Sequence, residues 1–185
     1  MMLLMALRGN PFLYQGEELA LPQADIAFER LRDPEAIANW PKTLGRDGAR
    51  TPMPWMDVSP KLAAGVEPWL PIDPRHEALA VSIQEDQPDS MLSFTRRLIA
   101  TRKAHPVLLT GALTFLPQES SIVAFERSAD QVPRILCAVN ISREAADLQL
   151  GAAQWTSVFS THGVSTIGES KLRMRGYEAF WAVES

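Results

Sequence analysis

The spacing of apolar and polar positions changes along the chain, and the change divides it. From Leu113 onward they alternate in short runs at 122–126, 135–141, 146–150, 155–159 and 177–183, parted by turn-rich or charged segments. In the second run Ile135, Cys137, Val139 and Ile141 share a face, and in the last Tyr177, Ala179, Trp181 and Val183 do the same. Successive strand residues point to opposite faces, so this period of two predicts an antiparallel, sandwich-like module. Before it, residues 89–104 carry Met91, Phe94, Leu98 and Ile99 on one helical stripe, with Arg96, Arg97, Arg102 and Lys103 directed to solvent. Asp89 is the expected cap, and Pro106 stops the helix. His105, just before Pro106, is expected to complement the helix dipole.

The amino-terminal pattern is different again. Residues 1–7 read as the end of a buried helix, stopped by Gly9 and Pro11. Phe12, Leu13 and Tyr14 then form a short apolar run ending at Gly16, the pattern of a parallel strand buried on both faces. Helix, turn and strand make a piece of a β/α unit, whose functional loops leave the carboxyl ends of strands, so residues 15–18 are expected to face a site. Residues 21–74 form a long excursion rich in Pro and Trp, with one short helix at Pro34–Asn39 capped by Asp33. Long irregular segments in compact domains usually form lids or binding walls.

Within that excursion, residues 45–55 (Gly-Arg-Asp-Gly-Ala-Arg-Thr-Pro-Met-Pro-Trp) follow neither period. Gly48 allows backbone angles closed to other residues, while Pro52 and Pro54 fix theirs, so this is a shaped loop. Arg46 and Arg50 flank Asp47, a fork suited to hydroxyls or carboxylates, and Trp55 offers a flat apolar wall. A surface ion pair beside a packed tryptophan is the alternative.

Composition narrows the choices. The 185 residues are 46% apolar with a formal net charge of −4, which argues against nucleic acid as a partner. One cysteine, Cys137, excludes an internal disulfide and fits a reducing compartment. Residues 1–7 lack the basic start and cleavage pattern of a signal peptide, and no apolar run has the length to span a bilayer. The expected setting is cytoplasmic, away from membranes. His76, His105 and His162 lack metal-ligand spacing, and neither a Gly-x-Ser-x-Gly elbow nor a glycine-rich phosphate loop is present. No metal or other cofactor is implied. Cys137 in an apolar strand reads as an inert small hydrophobe.

Residues 45–55 resemble the Gly-Arg-Asp-x-x-Arg-Thr-Pro-Met-x-Trp segment of α-glucosidases and oligo-1,6-glucosidases in glycoside hydrolase family 13, the α-amylase family. Residues 8–19 (Arg-Gly-Asn-Pro-Phe-Leu-Tyr-Gln-Gly-Glu-Glu-Leu) resemble that family's last barrel strand and following loop, and Pro68-Trp69-Leu70-Pro71 is a third match in order. The resemblance implies an α+β chain. Residues 1–106 would be the last β/α unit of a (β/α)8 barrel with its substrate-wall loop, and residues 107–185 an antiparallel β domain. By the same resemblance Arg50 is the arginine that fixes a terminal glucose by its hydroxyls, with Arg46 and Asp47 supporting the loop. Tyr14, Gln15 and Trp55 are candidates to line the pocket, with packing as their alternative role. Glu17 or Glu18 would bond a sugar hydroxyl or hold Arg50, a loop ion pair being the alternative.

Retaining glycosidases need two carboxylates about 5–5.5 Å apart. Glu17 and Glu18 are adjacent on a segment expected to be extended, so they should face opposite ways and not form that pair. The family's nucleophile, acid/base and stabilising aspartate motifs are absent from this sequence, so no residue inherits a catalytic role. The implied reading is the carboxyl-terminal part of a retaining α-glucosidase, inactive alone, whose ligands are glucose-terminated α-glucosides. Its protein partners would be a second copy or a polypeptide supplying the missing barrel. The alternatives are a non-catalytic interaction module, or part of a transglycosylase or sucrose isomerase. Exposing a large apolar side chain forfeits about 1.5–3 kcal/mol. Residues 1–19 are therefore expected to fold back on the β domain, fray, or pair between chains.

Overall fold

The computed structural model describes residues 1–56, 67–118, 121–163, 167 and 170–185. Part of the long excursion expected at 21–74 thus lies outside the described residues. In chain order the helices are α1 (Met2–Ala6), α2 (Pro34–Asn39), α3 (Pro74–Glu77), α4 (Val81–Gln84), α5 (Met91–Ala104) and α6 (Pro106–Thr110). The strands follow as β1 (Ala112–Leu116), β2 (Ile122–Ala129), β3 (Val132–Asn140), β4 (Ala146–Gln149), β5 (Trp155–Ser160), β6 (Lys171–Met174) and β7 (Ala179–Glu184). The chain divides into two compact units: Met1–Pro11 with Arg97–Ser185, and Phe12–Arg96.

In the first unit β1, β2, β3, β7 and β5 form an antiparallel sheet in that order, and β4 pairs with β6 in a second. Leu136, Ala138, Phe180 and Ala182 from one face of the large sheet pack with Leu148, Leu172 and Met174 of the small one. The other face of β2 and β3 is covered by α1 and α6. That is why β3 is buried continuously from Ile135 to Ala138 instead of alternating, as its sequence predicts. Met2, Met5 and Ala6 of α1 are buried, so of the segment 1–19 residues 1–11 fold back on the β domain, one of the three outcomes expected, whereas residues 12–19 belong to the other compact unit.

Two arginines fasten this segment. Arg127 on β2 is fully buried and donates to the carbonyls of Ala6 (2.6 Å), Leu108 (2.8 Å), Gly111 (2.8 Å) and Ala112 (3.2 Å). Arg102 on α5 donates to Met5, to Leu7 (3.1 Å) and to Gly9 (2.8 Å). Its 5% exposure corrects the expectation of a solvated basic face at this one position, Arg96, Arg97 and Lys103 being exposed. The buried stripe of α5 is Leu92, Thr95, Leu98 and Arg102, offset by one position at its start from the one predicted. Only Leu98 belongs to both, because a pattern of apolar residues cannot register a buried threonine or arginine.

Further differences have local causes. The cap of α5 is Ser90, not Asp89: its hydroxyl accepts the Ser93 N–H at 3.1 Å. Tyr177 lies before the last strand, held at a φ of 57° with its N–H bonded to Ser142, in a turn where Gly176 presses on Arg143 so closely that a Cβ would sit 2.0 Å from that carbonyl oxygen. Strands β1 and β6 were not among the predicted runs, being short and bounded by weak alternation.

In the second unit, residues 12–14 form no strand, and Phe12 is 85% exposed. A strand requires a neighbour for its N–H and C=O groups, and no described residue pairs with this run. The chain turns instead at Gly16 (φ 92°) into a 3-10 turn, Glu17–Leu19, so residues 15–18 are not extended either. By contrast α2 has the expected bounds, Pro34 in its first turn and Asp33 as its cap. Gln84 ties the unit together, donating to Leu19 and Leu79 and accepting from the Leu92 N–H.

Candidate functional site

The loop at 45–51 is held by two buried aspartates with separate tasks. Asp33 accepts the Glu35 N–H that starts α2, and also the backbone N–H (2.9 Å), Nε (2.9 Å) and Nη2 (2.8 Å) of Arg46. The Arg46 guanidinium holds the Asp33 carboxyl well below the usual carboxylate range. Asp47 accepts the backbone N–H groups of Arg32 (2.6 Å) and Asp33 (2.8 Å) through one oxygen, Oδ2. The loop lies hard against residues 23–24: the Ala24 N–H donates to the Gly48 carbonyl at 2.9 Å, and a Cβ on Gly48 would sit 2.2 Å from the Ala24 oxygen. Glycine is needed there for that close approach.

Beyond these anchors lies a cavity of about 370 Å³ whose lining includes Tyr14, Gln15, Glu17, Arg46, Thr51 and His76. Arg50 stands beside Tyr14, donating from Nε to its phenolic oxygen at 3.1 Å. Gln15 donates to the carbonyls on either side of Arg50, those of Ala49 (3.5 Å) and Thr51 (3.3 Å). His76, 1% exposed, bridges Pro22 and Thr51: Nε2 lies 2.7 Å from the Pro22 carbonyl and Nδ1 lies 3.5 Å from the Thr51 hydroxyl. Asp73 caps α3 and pairs with Arg75, whose guanidinium lowers the Asp73 carboxyl to about 2.

The sequence candidates thus fall into four groups. The Tyr14 phenol accepts from the Arg50 side chain, and Gln15 donates to the backbone on either side of Arg50. Arg46 and Asp47 are directed at α2 and its approach, and Arg46 pairs with Asp33 instead of Asp47. Glu17 and Glu18 each accept a backbone N–H, from Tyr14 (3.1 Å) and Gly16 (2.8 Å), so both are engaged in shaping their own turn. Trp55 is 66% exposed, and its carbonyl accepts the Ser82 N–H. Glu17 is the one carboxylate among the described residues lining the cavity, whereas a retaining glycosidase needs two facing one bond. Among the described residues no cluster of His, Cys, Asp or Glu is arranged for a metal, and no helix is long and apolar enough to cross a membrane. From the sequence, His76 was considered only as a metal ligand and Thr51 only as part of the loop; an isolated histidine after a capping Asp-Pro pair signals a helix start but not what its ring reaches.

Comparison with known proteins identifies the class first. Residues 1–111 match the model of the alpha amylase catalytic domain and residues 113–181 that of the maltogenic amylase C-terminal domain. The chain belongs to the α-amylase family. Among its relatives are a probable alpha-glucosidase of Rhizobium meliloti, 39% identical over 97% of this chain and 32% of its own length, and a probable oligo-1,6-glucosidase 2 of Bacillus subtilis, 26% identical over 94% and 35%. Of the solved structures, the alpha-glucosyl transfer enzyme XgtA is 39% identical with a TM-score of 0.88, covering 100% of this chain and 34% of its own. An isomaltulose synthase from Erwinia rhapontici, at 22% identity, 100% and 37% coverage and a TM-score of 0.83, shares the fold. The chain spans about a third of the length of the curated relatives it matches.

Proposed function

We propose that this chain is the carboxyl-terminal part of a retaining α-glucosidase. Residues 1–106 would close the catalytic β/α barrel and carry one wall of the sugar pocket, and residues 107–185 would form the accompanying β domain. The observation that carries the reading is the setting of Arg50: a guanidinium held by Tyr14, on a backbone pinned on both sides by Gln15, within a segment resembling the glucose-fixing loop of the family. A planar fork of fixed donors suits vicinal hydroxyls. The substrates of the whole enzyme would be glucose-terminated α-glucosides, gripped weakly by this wall alone. Trp55, Glu17 and Glu18 would contribute at the rim, with Arg46 and Asp47 as supports. The nucleophile and acid/base would come from barrel segments outside this sequence, supplied by the rest of the polypeptide or by a partner chain, and self-association through the exposed residues 12–14 is the further partner reading. The setting would be cytoplasmic, with neither nucleic acid nor membrane engaged and no cofactor required.

Incubating the purified chain with an aryl α-glucoside should give no turnover. Turnover that disappears on Arg50→Ala would overturn the assignment of catalysis to segments elsewhere. A second reading, transfer of a glucosyl group instead of hydrolysis, is favoured by the likeness to XgtA, which is described as an alpha-glucosyl transfer enzyme. It shares the same wall and differs in the acceptor.

A further inference from the structure

His76 is a buried imidazole that the reading above leaves without a task. Its Nε2 faces a backbone carbonyl, that of Pro22 at 2.7 Å. A carbonyl only accepts, so Nε2 carries the ring proton. In the tautomer protonated there, Nδ1 is an acceptor for the Thr51 hydroxyl at 3.5 Å. Thr51 is itself buried, follows Arg50 directly, and gives its carbonyl to Gln15. The ring stands on α3, which is anchored by Asp73, so it offers a fixed point against which the loop can be set.

We infer that His76 is a positioning residue: through the Thr51 hydroxyl it sets the backbone on which Arg50 stands and so aims the guanidinium held at Tyr14. The inference rests on the reading of Arg50 as a sugar-binding group, but its geometry can be tested without sugar. Glutamine places an amide N–H where Nε2 lies, keeping the Pro22 bond and losing Thr51. Asparagine places its amide where Nδ1 lies, keeping Thr51 and losing Pro22.

Two readouts are followed in the full chain: the Nε–H resonance of Arg50 by NMR, and the affinity for methyl α-glucoside by chemical-shift titration. His76→Gln should move the Arg50 Nε–H signal and weaken the glucoside by about fivefold, the worth of one ordinary hydrogen bond. His76→Asn should leave both near the parent values while lowering the unfolding midpoint. Thr51→Val should reproduce the Gln variant, and adding it to His76→Gln should change nothing more. An Arg50 signal unmoved in His76→Gln and Thr51→Val, or moved equally by His76→Asn, would overturn the inference. Failure of the parent chain to bind methyl α-glucoside, with the Arg50 signal still following the Gln and Val variants, would sink the sugar-binding reading and leave the positioning role standing.

Discussion

Arg127 holds its charge among carbonyl oxygens, and among the described residues no carboxylate bonds to it. Burial pulls its guanidinium, and that of Arg102, below the ordinary arginine value. Several of the accepting carbonyls end short helices, where partial negative charge collects, which offsets part of the desolvation cost. Each acceptor left buried and unpaired costs about 1–3 kcal/mol, so Arg127→Ala should destabilise the β unit by at least ~3 kcal/mol in urea unfolding. Arg127→Lys should recover little, because one ammonium cannot span the directions of the fork. Cys137, on the same buried face, has its thiol pushed up to about 12 by burial. It should resist iodoacetamide in the native chain at neutral pH and react once the chain is unfolded. The buried place of Cys137 was legible from its apolar strand, whereas those of Arg102 and Arg127 were not. In one dimension a buried arginine among carbonyls has the same letter as one in solvent.

Local elements were read well where they carry their own caps. Asp33 and Pro34 at α2 specify a helix start without outside help, and bounds and cap agree with the structure. The run at 12–14 shows the converse: a strand exists only with a partner, and apolar content by itself supplies none. The capping aspartates also set an acid limit. Asp73 titrates near 2 against 3.8 for an ordinary aspartate, and Asp33 lies lower still. A depressed carboxyl stabilises the fold fully above about pH 4, and that contribution fades as pH falls through 4 toward 2. The protection of amides at residues 33–51 from exchange, relative to the free-chain rate at each pH, should therefore fall over that interval. Asp33→Asn should show fast exchange there already at pH 7, with a much flatter acid response.

For the molecule as a whole, the antiparallel domain was visible in the period of two, and the loop wall in its glycines, prolines and arginines. Hidden from the pattern was which side chains meet across the pocket: Glu17 and Glu18 turn inward to their own backbone, and His76 reaches Pro22 and Thr51 from a distant turn. Such meetings depend on tertiary approach, which periodicity does not encode. The compact units also join distant parts of the sequence, Met1–Pro11 residing with Arg97–Ser185. Removing residues 1–11 should lower the urea midpoint of the β unit about as much as Arg127→Ala, since both strand buried hydrogen-bonding groups; an unchanged midpoint would show that the segment is dispensable.

The reach of Arg127 back to Ala6 spans 121 positions. During synthesis α1 emerges long before β2, and the guanidinium that fastens the Ala6 carbonyl arrives only with β2. Residues 12–96 are made in the interval and can settle among themselves. A nascent chain stalled before position 127 lacks that fastening, so protease should cut α1 more readily in it than in one stalled after β7 has cleared the exit tunnel.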